Sequence, residues 1–549
     1  MYEVRLVLSC VLKSSPDRFP GQGFGRLSQR LDQLGGGQCQ KRLSRGRPIW
    51  APTSRSRIYR AVRPYAPARP PISSSDMCAV VRSRRRVVVI GGGITGLSAA
   101  YALASRPSAD QPQVIVLEAT GRLGGKVSTE RVGGLQVEAG PDAFLIRTPA
   151  AVDLCRRLGI GDQLVAPSRA PAAIWIRGRL RPIPRSLALG VPTSVTGLAG
   201  SRILSWSGIT RAAVEPLVPR HRVDGDRSVA DLVIPRFGRQ VFDRLVDPLL
   251  SGIYAGRTDR LSAESVLPQL AELARTNRSL LLGSRTLPKP RAGAPMFNSL
   301  SSGLGTLVAA LEEAIRDTAE VRAGVSATSV RMEANRAFLV EVDGKAPFSA
   351  DAVIIAAPAF AASKMLAASS PGLSAELGAI EYASVATVAL VYPREAPARP
   401  MDTSGFLVPR TEGRLLVGST WVTAKWPHLD SGDRVVFRCA VGRAGDDRWQ
   451  SLDDRRLADA VHAELAEAIG LRSPPSDSGV VRWPAAMPQY NVGHEARLRR
   501  VEEFLQELPG LFLAGAAYRG IGLPACVQQG RDAAEKAMAH LGLGVEALR

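Results

Sequence analysis

The glycine string Gly91-Gly-Gly-Ile-Thr-Gly96 constrains this chain more than any other feature, because of what stands on either side of it. Before it runs Arg86-Val-Val-Val-Ile90, a short β-branched stretch that reads as a buried strand. After it comes an apolar-periodic segment, about Thr95 to Ser105, that reads as a helix, and then a second buried strand, Gln113-Val-Ile-Val-Leu117. Strand, glycine turn, helix and strand make a βαβ unit. Gly91, Gly93 and Gly96 fill the three places of a dinucleotide-binding turn. The first permits the tight turn, the second lets backbone approach a pyrophosphate, and the third lets the helix pack closely on the strand. The helix N-terminus then supports the phosphate charge. Glu118 ends the second strand 22 residues past Gly96, where a carboxylate accepts hydrogen bonds from ribose hydroxyls and disfavours a 2′-phosphate.

The 549 residues suffice for two or three domains. A net charge of +21 suggests a polyanionic partner until its placement is considered. Residues 1–86 hold 18 Lys and Arg against 4 Asp and Glu, so +14 of the +21 lies there. The body has no nucleic-acid motif, and no nucleic-acid partner is expected. Residues 1–84 are read as a disordered basic extension, since an acid-poor stretch rich in Arg, Pro, Ser and Gly cannot bury a core. A transit peptide over residues 1–76 or an over-extended gene start ahead of Met77 would look alike, and the latter is preferred. The six cysteines form no CxxC pair, and with five histidines no metal site is expected. Cys155 and Cys526 read as small buried hydrophobes. No apolar run reaches the roughly 18 residues of a membrane span. Ser186 to Trp206 is apolar and could line a cavity or touch a membrane surface, but a buried helical subdomain is the preferred reading.

Glu118-Ala119-Thr-Gly-Arg122-Leu-Gly-Gly125-Lys126 supplies a second glycine pair and two cations next to the first loop. Far downstream, Leu511-Phe-Leu-Ala-Gly515-Ala516 leads through a glycine-rich turn to Ile521-Gly522-Leu523-Pro524, where a last helix is expected to run to Leu541. Both strings resemble signatures of the flavin amine oxidase superfamily. The resemblance implies an extended, non-covalent FAD, with the last helix aimed at the flavin pyrimidine ring. It implies cofactor contacts at Gly91, Gly92, Gly93, Ile94, Thr95 and Gly96; at Glu118, Ala119, Arg122, Gly125 and Lys126; at Gly140, Pro141, Asp142, Ala143 and Val325; and at Gly515, Ala516, Ile521, Gly522 and Leu523.

Within that superfamily, Ser251-Gly-Ile-Tyr-Ala-Gly256, Arg278 to Gly283, Phe297 to Leu307 and Arg482 to His494 resemble motifs of the protoporphyrinogen oxidase family. Ser302 departs from the family's usual Gly. The strings Gly140 to Arg147, Thr420 to His428 and Pro488 to His494 are similar to the soluble bacterial branch, which acts on coproporphyrinogen III; the other branch often has Arg where Asp142 stands. The expectation is FAD-dependent, six-electron oxidation of coproporphyrinogen III to coproporphyrin III over three flavin turnovers, with O2 as acceptor and H2O2 as by-product. Protoporphyrinogen IX is the alternative substrate, and an amine oxidase or carotenoid desaturase the more distant one. Flavin carries the hydride chemistry, so no side chain is assigned a catalytic role. Arg147 is the candidate propionate clamp, against the alternative of a solvated surface arginine, and Gly252 and Ile253 resemble residues that contact the macrocycle. Arg177, Arg179, Arg181 and Arg185 read as a solvated hairpin, and His494 as a structural hydrogen-bonder. A cytoplasmic enzyme is expected, with peripheral membrane contact and a transient contact with the next haem-pathway enzyme left open.

The expected fold class is α/β: a Rossmann-type FAD-binding domain with a parallel sheet, an inserted α+β substrate-binding domain and a helical subdomain. The FAD-binding domain is expected in three parts, 85–150, 291–360 and 481–549. Residues 151–290 are assigned to the substrate-binding and helical subdomain, and 361–480 to the substrate-binding sheet.

Overall fold

The structure is a computed structural model and describes residues 85–105, 111–184, 186–188, 190–219, 225–287 and 295–543. The basic extension, both readings of its origin, and Arg185 lie outside these residues.

Five strands form a wholly parallel sheet: β1 (Arg86–Ile90), β2 (Gln113–Glu118), β3 (Ala319–Ala323), β4 (Ala352–Ile355) and β5 (Leu511–Leu513), in the order β3-β2-β1-β4-β5. A parallel sheet is covered on both faces, which explains the unbroken valine run of β1. Val87 and Val89 enter one apolar cluster while Val88 and Ile90 enter another. The first face is covered by α1 (Ile94–Ala104) and α2 (Leu523–His540). The two helices cross at Gly530, where a Cβ would lie 2.3 Å from the Thr95 carbonyl oxygen. The second face carries a three-stranded antiparallel sheet, Ala327–Met332, Phe338–Val342 and Phe348–Ala350. Strand β1 has β2 on one side and β4 on the other. The crevice past its C-terminal end is thus a topological switch point, the usual ligand position in such sheets.

A separate seven-stranded sheet has the order Asp477–Pro488, Tyr382–Pro393, Arg434–Val441, Leu416–Trp421, Gly405–Leu407, Ala172–Ile176, Arg179–Pro182. Its one parallel pairing joins Gly405–Leu407 to Ala172–Ile176. The hairpin that carries Arg177, Arg179 and Arg181 therefore extends a sheet formed mostly by residues some way past position 380. The sheet crosses the expected limits at 290 and 480. The physical reason is edge protection: the short strand Gly405–Leu407 pairs with an imported hairpin and does not end the sheet.

Helices between Val195 and Gly283 surround a third core that includes Leu198, Val233, Phe237, Leu245 and Leu250. Leu187, Val191, Leu198, Ile203 and Leu204 belong to it, so these large apolar side chains of the stretch from Ser186 are interior, while Trp206 at its end is 77% exposed.

Candidate functional site

The first glycine loop behaves as its spacing requires. Gly91 has φ +111°, and a Cβ there would lie 2.9 Å from backbone atoms of Ala356. A Cβ on Gly96 would fall 1.8 Å from the Gly91 carbonyl oxygen. Gly93 differs, because the nearest atom to its Cβ position is Gly125 Cα at 3.9 Å. Its bare face opens towards the second glycine pair, and the Gly124 N–H donates to the Gly92 carbonyl at 2.8 Å. The two motifs thus form one side-chain-free surface beside the first turn of α1, where Ile94 and Thr95 are buried. No side chain caps α1 and no acid lies in its first turn, which leaves its N–H groups and dipole available to an anion.

Glu118 is buried, and its carboxylate is already engaged. One oxygen accepts from the Gly92 N–H at 2.7 Å, the other from the Thr120 N–H at 2.8 Å and hydroxyl at 2.7 Å. A carboxylate has about four acceptor sites, so ribose hydroxyls could still be received. The neighbouring Ala119 is exposed, and the buried Val325 donates its N–H to the Glu118 carbonyl at 2.8 Å. The Arg122 guanidinium donates to the carbonyls of Leu123, Gly125 and Val127, so it shapes the loop from behind. Burial holds the Lys126 ammonium below its ordinary range, with the Cys526 thiol acting in the opposite sense.

The C-terminal loop closes over the same place. Gly515 has φ +135°, and its Cβ position is 4.0 Å from Thr95 Oγ1. Helix α2 begins at Leu523, with Gly522 before it and Pro524 in its first turn, and no side chain caps it. Ala516 lies in a loop braced from outside. The Tyr490 hydroxyl donates to the Ala516 carbonyl at 2.6 Å and accepts from the Gly520 N–H at 2.9 Å. His494 is fully buried against Tyr490, and burial lowers its pKa, in keeping with a structural role.

Gly140 is required by proximity, since its Cβ would meet the Lys126 carbonyl oxygen at 1.8 Å. The preceding carbonyls are gripped by the seven-stranded sheet. Arg438 Nε donates to Glu138 O at 2.7 Å, and Thr387 Oγ1 and Trp483 Nε1 donate to Ala139 O at 2.7 and 2.9 Å. Arg438 also reaches the Gly140 carbonyl. Past Pro141, Asp142 pairs with Lys425 at 2.6 Å, and Ala143 packs beside an apolar cluster that includes Val422 and Trp426. Burial alone would raise the Asp142 pKa, but the charges of Lys425 and Arg438 together hold it below the ordinary range. Burial pushes the Glu138 carboxyl up to about 7, against hydrogen bonds from the Leu304 N–H and the Thr129 hydroxyl; the Asp142 charge adds to the rise and Arg438 opposes it. A cleft opens here between Gln136, Glu138, Asp142, Trp426, His428 and Arg438.

Gly252 and Ile253 lie on the helix Asp247–Tyr254. Ile253, Leu407 and Ile521 each pack, partly buried, against the helical core, and a Cβ on Gly252 would lie 3.1 Å from Leu407 Cδ2. Arg147 is exposed just after strand Phe144–Leu145. Ser302 carries no strain, because the left-handed position of its turn is Gly303 at φ +87°. Sequence reasoning passed over Glu138, Lys425, Arg438 and Tyr490 as site residues. The one available signal was a lone Arg inside the apolar strand Arg434–Val441, where a charge implies a partner.

Residues 94–538 match the family of flavin containing amine oxidoreductases, and the chain belongs to it. It is an oxidoreductase with a flavin cofactor, and its two glycine surfaces and uncapped helix ends fit that group. Among curated proteins, coproporphyrinogen III oxidase of Bacillus subtilis is 33% identical over 83% of this chain and 99% of its own length. The Mycobacterium tuberculosis coproporphyrinogen III oxidase is 35% identical over 81% and 95%. Bovine protoporphyrinogen oxidase is 31% identical over 83% and 98%. A solved Exiguobacterium structure assigned as a protoporphyrinogen oxidase matches with TM-score 0.74 and 32% identity, covering 83% of this chain and 99% of that one. A putrescine oxidase structure, 16% identical with TM-score 0.59, shares the fold alone.

Proposed function

We propose that the chain binds FAD non-covalently and oxidises coproporphyrinogen III to coproporphyrin III, with O2 as acceptor and three H2O2 formed per porphyrin. The observation that carries this reading is similarity to coproporphyrinogen III oxidases over nearly their whole length, together with Asp142 after Gly140-Pro141. When bound, FAD supplies the two-electron acceptor for each of three oxidations. The chain's own residues supply position and charge. Gly91–Gly96, Gly124–Lys126 and the N-terminus of α1 would receive the diphosphate, Glu118 the ribose hydroxyls, and Val325 the adenosine end. Gly140–Ala143 and Gly515–Leu523 would flank the flavin ring, with the start of α2 favouring negative charge on its pyrimidine side. Ile253 and Leu407 would present an apolar wall to the macrocycle above Gly252, and Arg147 a guanidinium to a propionate. A cytoplasmic place and brief transfer of product to the next haem-pathway enzyme belong to the same proposal; among the described residues no helix is long and apolar enough to cross a membrane.

Porphyrin fluorescence after mixing with each reduced porphyrinogen tests the reading. Coproporphyrinogen III should be turned over faster, by roughly tenfold in kcat/KM for one charged hydrogen bond that the divinyl substrate cannot make. Equal or faster oxidation of protoporphyrinogen IX would assign the chain to the protoporphyrinogen oxidases, as similarity to the bovine enzyme would then indicate. Acid precipitation should release the yellow flavin; colour retained in the pellet would show covalent attachment.

A further inference from the structure

The strings that point to one branch of the family, Gly140 to Arg147 and Thr420 to His428, are far apart in sequence, yet one ion pair joins them. Lys425 Nζ lies 2.6 Å from Asp142 Oδ2 across 283 residues, with the two side chains only 21% and 20% exposed. The lysine stands on a fixed base. It closes the short helix Val422–Lys425, its own carbonyl accepts from the Ser168 N–H at 2.7 Å, and the Ala424 carbonyl accepts from the Ser168 hydroxyl at 2.7 Å. Its ammonium lies 5.3 Å from the centroid of the Trp426 ring. On the other side, the segment that holds Asp142 is gripped before Gly140 by Arg438, Thr387 and Trp483. After Asp142 it is gripped by pairing of Phe144–Leu145 with Phe297–Asn298. Arg147 lies two residues past Leu145.

We propose that Lys425 is a positioning residue: through Asp142 it sets the place of the Gly140–Arg147 segment, and so how tightly a carboxylate-bearing substrate is held. This rests on the porphyrinogen reading above. A partly desolvated ion pair is a poor way to gain stability but a good way to fix one register. The charges are matched to that role. Asp142 faces two cations, Lys425 and Arg438. An arginine at 142 would face the same two cations without an anion, so the acid at 142 and the lysine at 425 form a single choice. The glycine loops at Gly91–Gly96, Gly124–Gly125 and Gly515–Gly522 make no hydrogen bond to Lys425, whereas Arg147 hangs from the segment that does. The same segment would also flank the flavin ring at Gly140–Ala143, but flavin is held in addition by the three glycine loops, so loosening the pair should weaken substrate binding more than it weakens flavin.

The holoenzyme variants Lys425→Met, Asp142→Asn, their double and Lys425→Arg would be compared with the unsubstituted protein on coproporphyrinogen III, with flavin content read by absorbance. Each single removal should raise KM roughly tenfold, as removal of a charged hydrogen bond does, with kcat changed less than about threefold. The double should be no worse than either single, because both remove one interaction. Lys425→Arg, which keeps the charge and can still donate to the carboxylate, should raise KM less than Lys425→Met does. If Lys425→Met does not fold, Asp142→Asn and Lys425→Arg make the same comparison. KM unchanged in the removals, additive losses in the double, or flavin lost together with kcat would each overturn the proposal while leaving the functional reading intact. An unsubstituted protein that oxidises neither porphyrinogen would overturn both.

Discussion

Tyr490 and His494 stack at 4.2 Å between ring centroids, 11° from parallel, and between them hold three points of one loop. Tyr490 binds Ala516 O and Gly520 N through its hydroxyl, and His494 Nε2 lies 3.0 Å from Tyr518 O. Neither ring need touch substrate to matter, because the loop they hold is the one proposed to flank the flavin ring. Tyr490→Phe keeps the stack and deletes both hydroxyl bonds. It should weaken FAD retention, with a loss of about 1–3 kcal/mol for partners left unpaired. Titration of apoprotein with FAD by fluorescence checks this, and unchanged affinity would remove the brace from the flavin site.

Gly93 and Gly96 should separate when each is changed to Ala. A Cβ at Gly96 collides with the Gly91 carbonyl oxygen, whereas one at Gly93 has 3.9 Å of room in the chain itself. Gly96→Ala should lower the melting temperature of the apoprotein. Gly93→Ala should leave apoprotein melting nearly unchanged and weaken FAD by roughly tenfold or more, about the cost of displacing one charged hydrogen bond. Equal effects on apoprotein melting would contradict a cofactor role for the open face of Gly93.

Glu138 gives a pH signature with a definite sign. Burial raises its carboxyl to about 7, against an ordinary value of 4.5. Between those values the folded protein binds more protons than the unfolded chain, so this group's contribution to stability falls as pH rises from about 4.5 to 7. The full loss is on the order of 3 kcal/mol. Glu138→Gln should flatten that slope in chemical denaturation run across the same window. A slope equal to that of the unsubstituted protein would show that Glu138 titrates normally.

Arg147→Ala tests the clamp. On coproporphyrinogen III it should cost up to about tenfold in kcat/KM, limited because the group is exposed. Protoporphyrinogen IX, with two propionates fewer, should lose less, so the preference narrows. Equal losses on both substrates would return Arg147 to the class of surface arginines.

The glycine turn and its acid were legible because they obey rules of local spacing. Gly91, Gly96 and Glu118 act through neighbours within 26 residues, apart from the Ala356 backbone. Arg438 and Lys425 were not legible, since their partners lie about 300 residues away and no periodicity encodes a partner. The same holds for the import of Ala172–Pro182 into the larger sheet. The direction of Arg122 was not legible either: its guanidinium faces loop carbonyls, which satisfy it locally.

The crossing of α1 and α2 at Gly530 also has a meaning in time. The parallel sheet takes its central strand from residues 86–90 and its edge from 511–513, and α2 seals the face that α1 begins. A ribosome making this chain completes the first glycine turn, at Gly96, long before Leu523, where the helix that lies over it begins. Contacts so distant in sequence are slow to form and leave apolar surface waiting. The N-terminal half of the nucleotide unit must therefore spend most of synthesis without its lid. Flavin capture is then expected to await the finished polypeptide, and a chain truncated before α2 should fail to retain its cofactor.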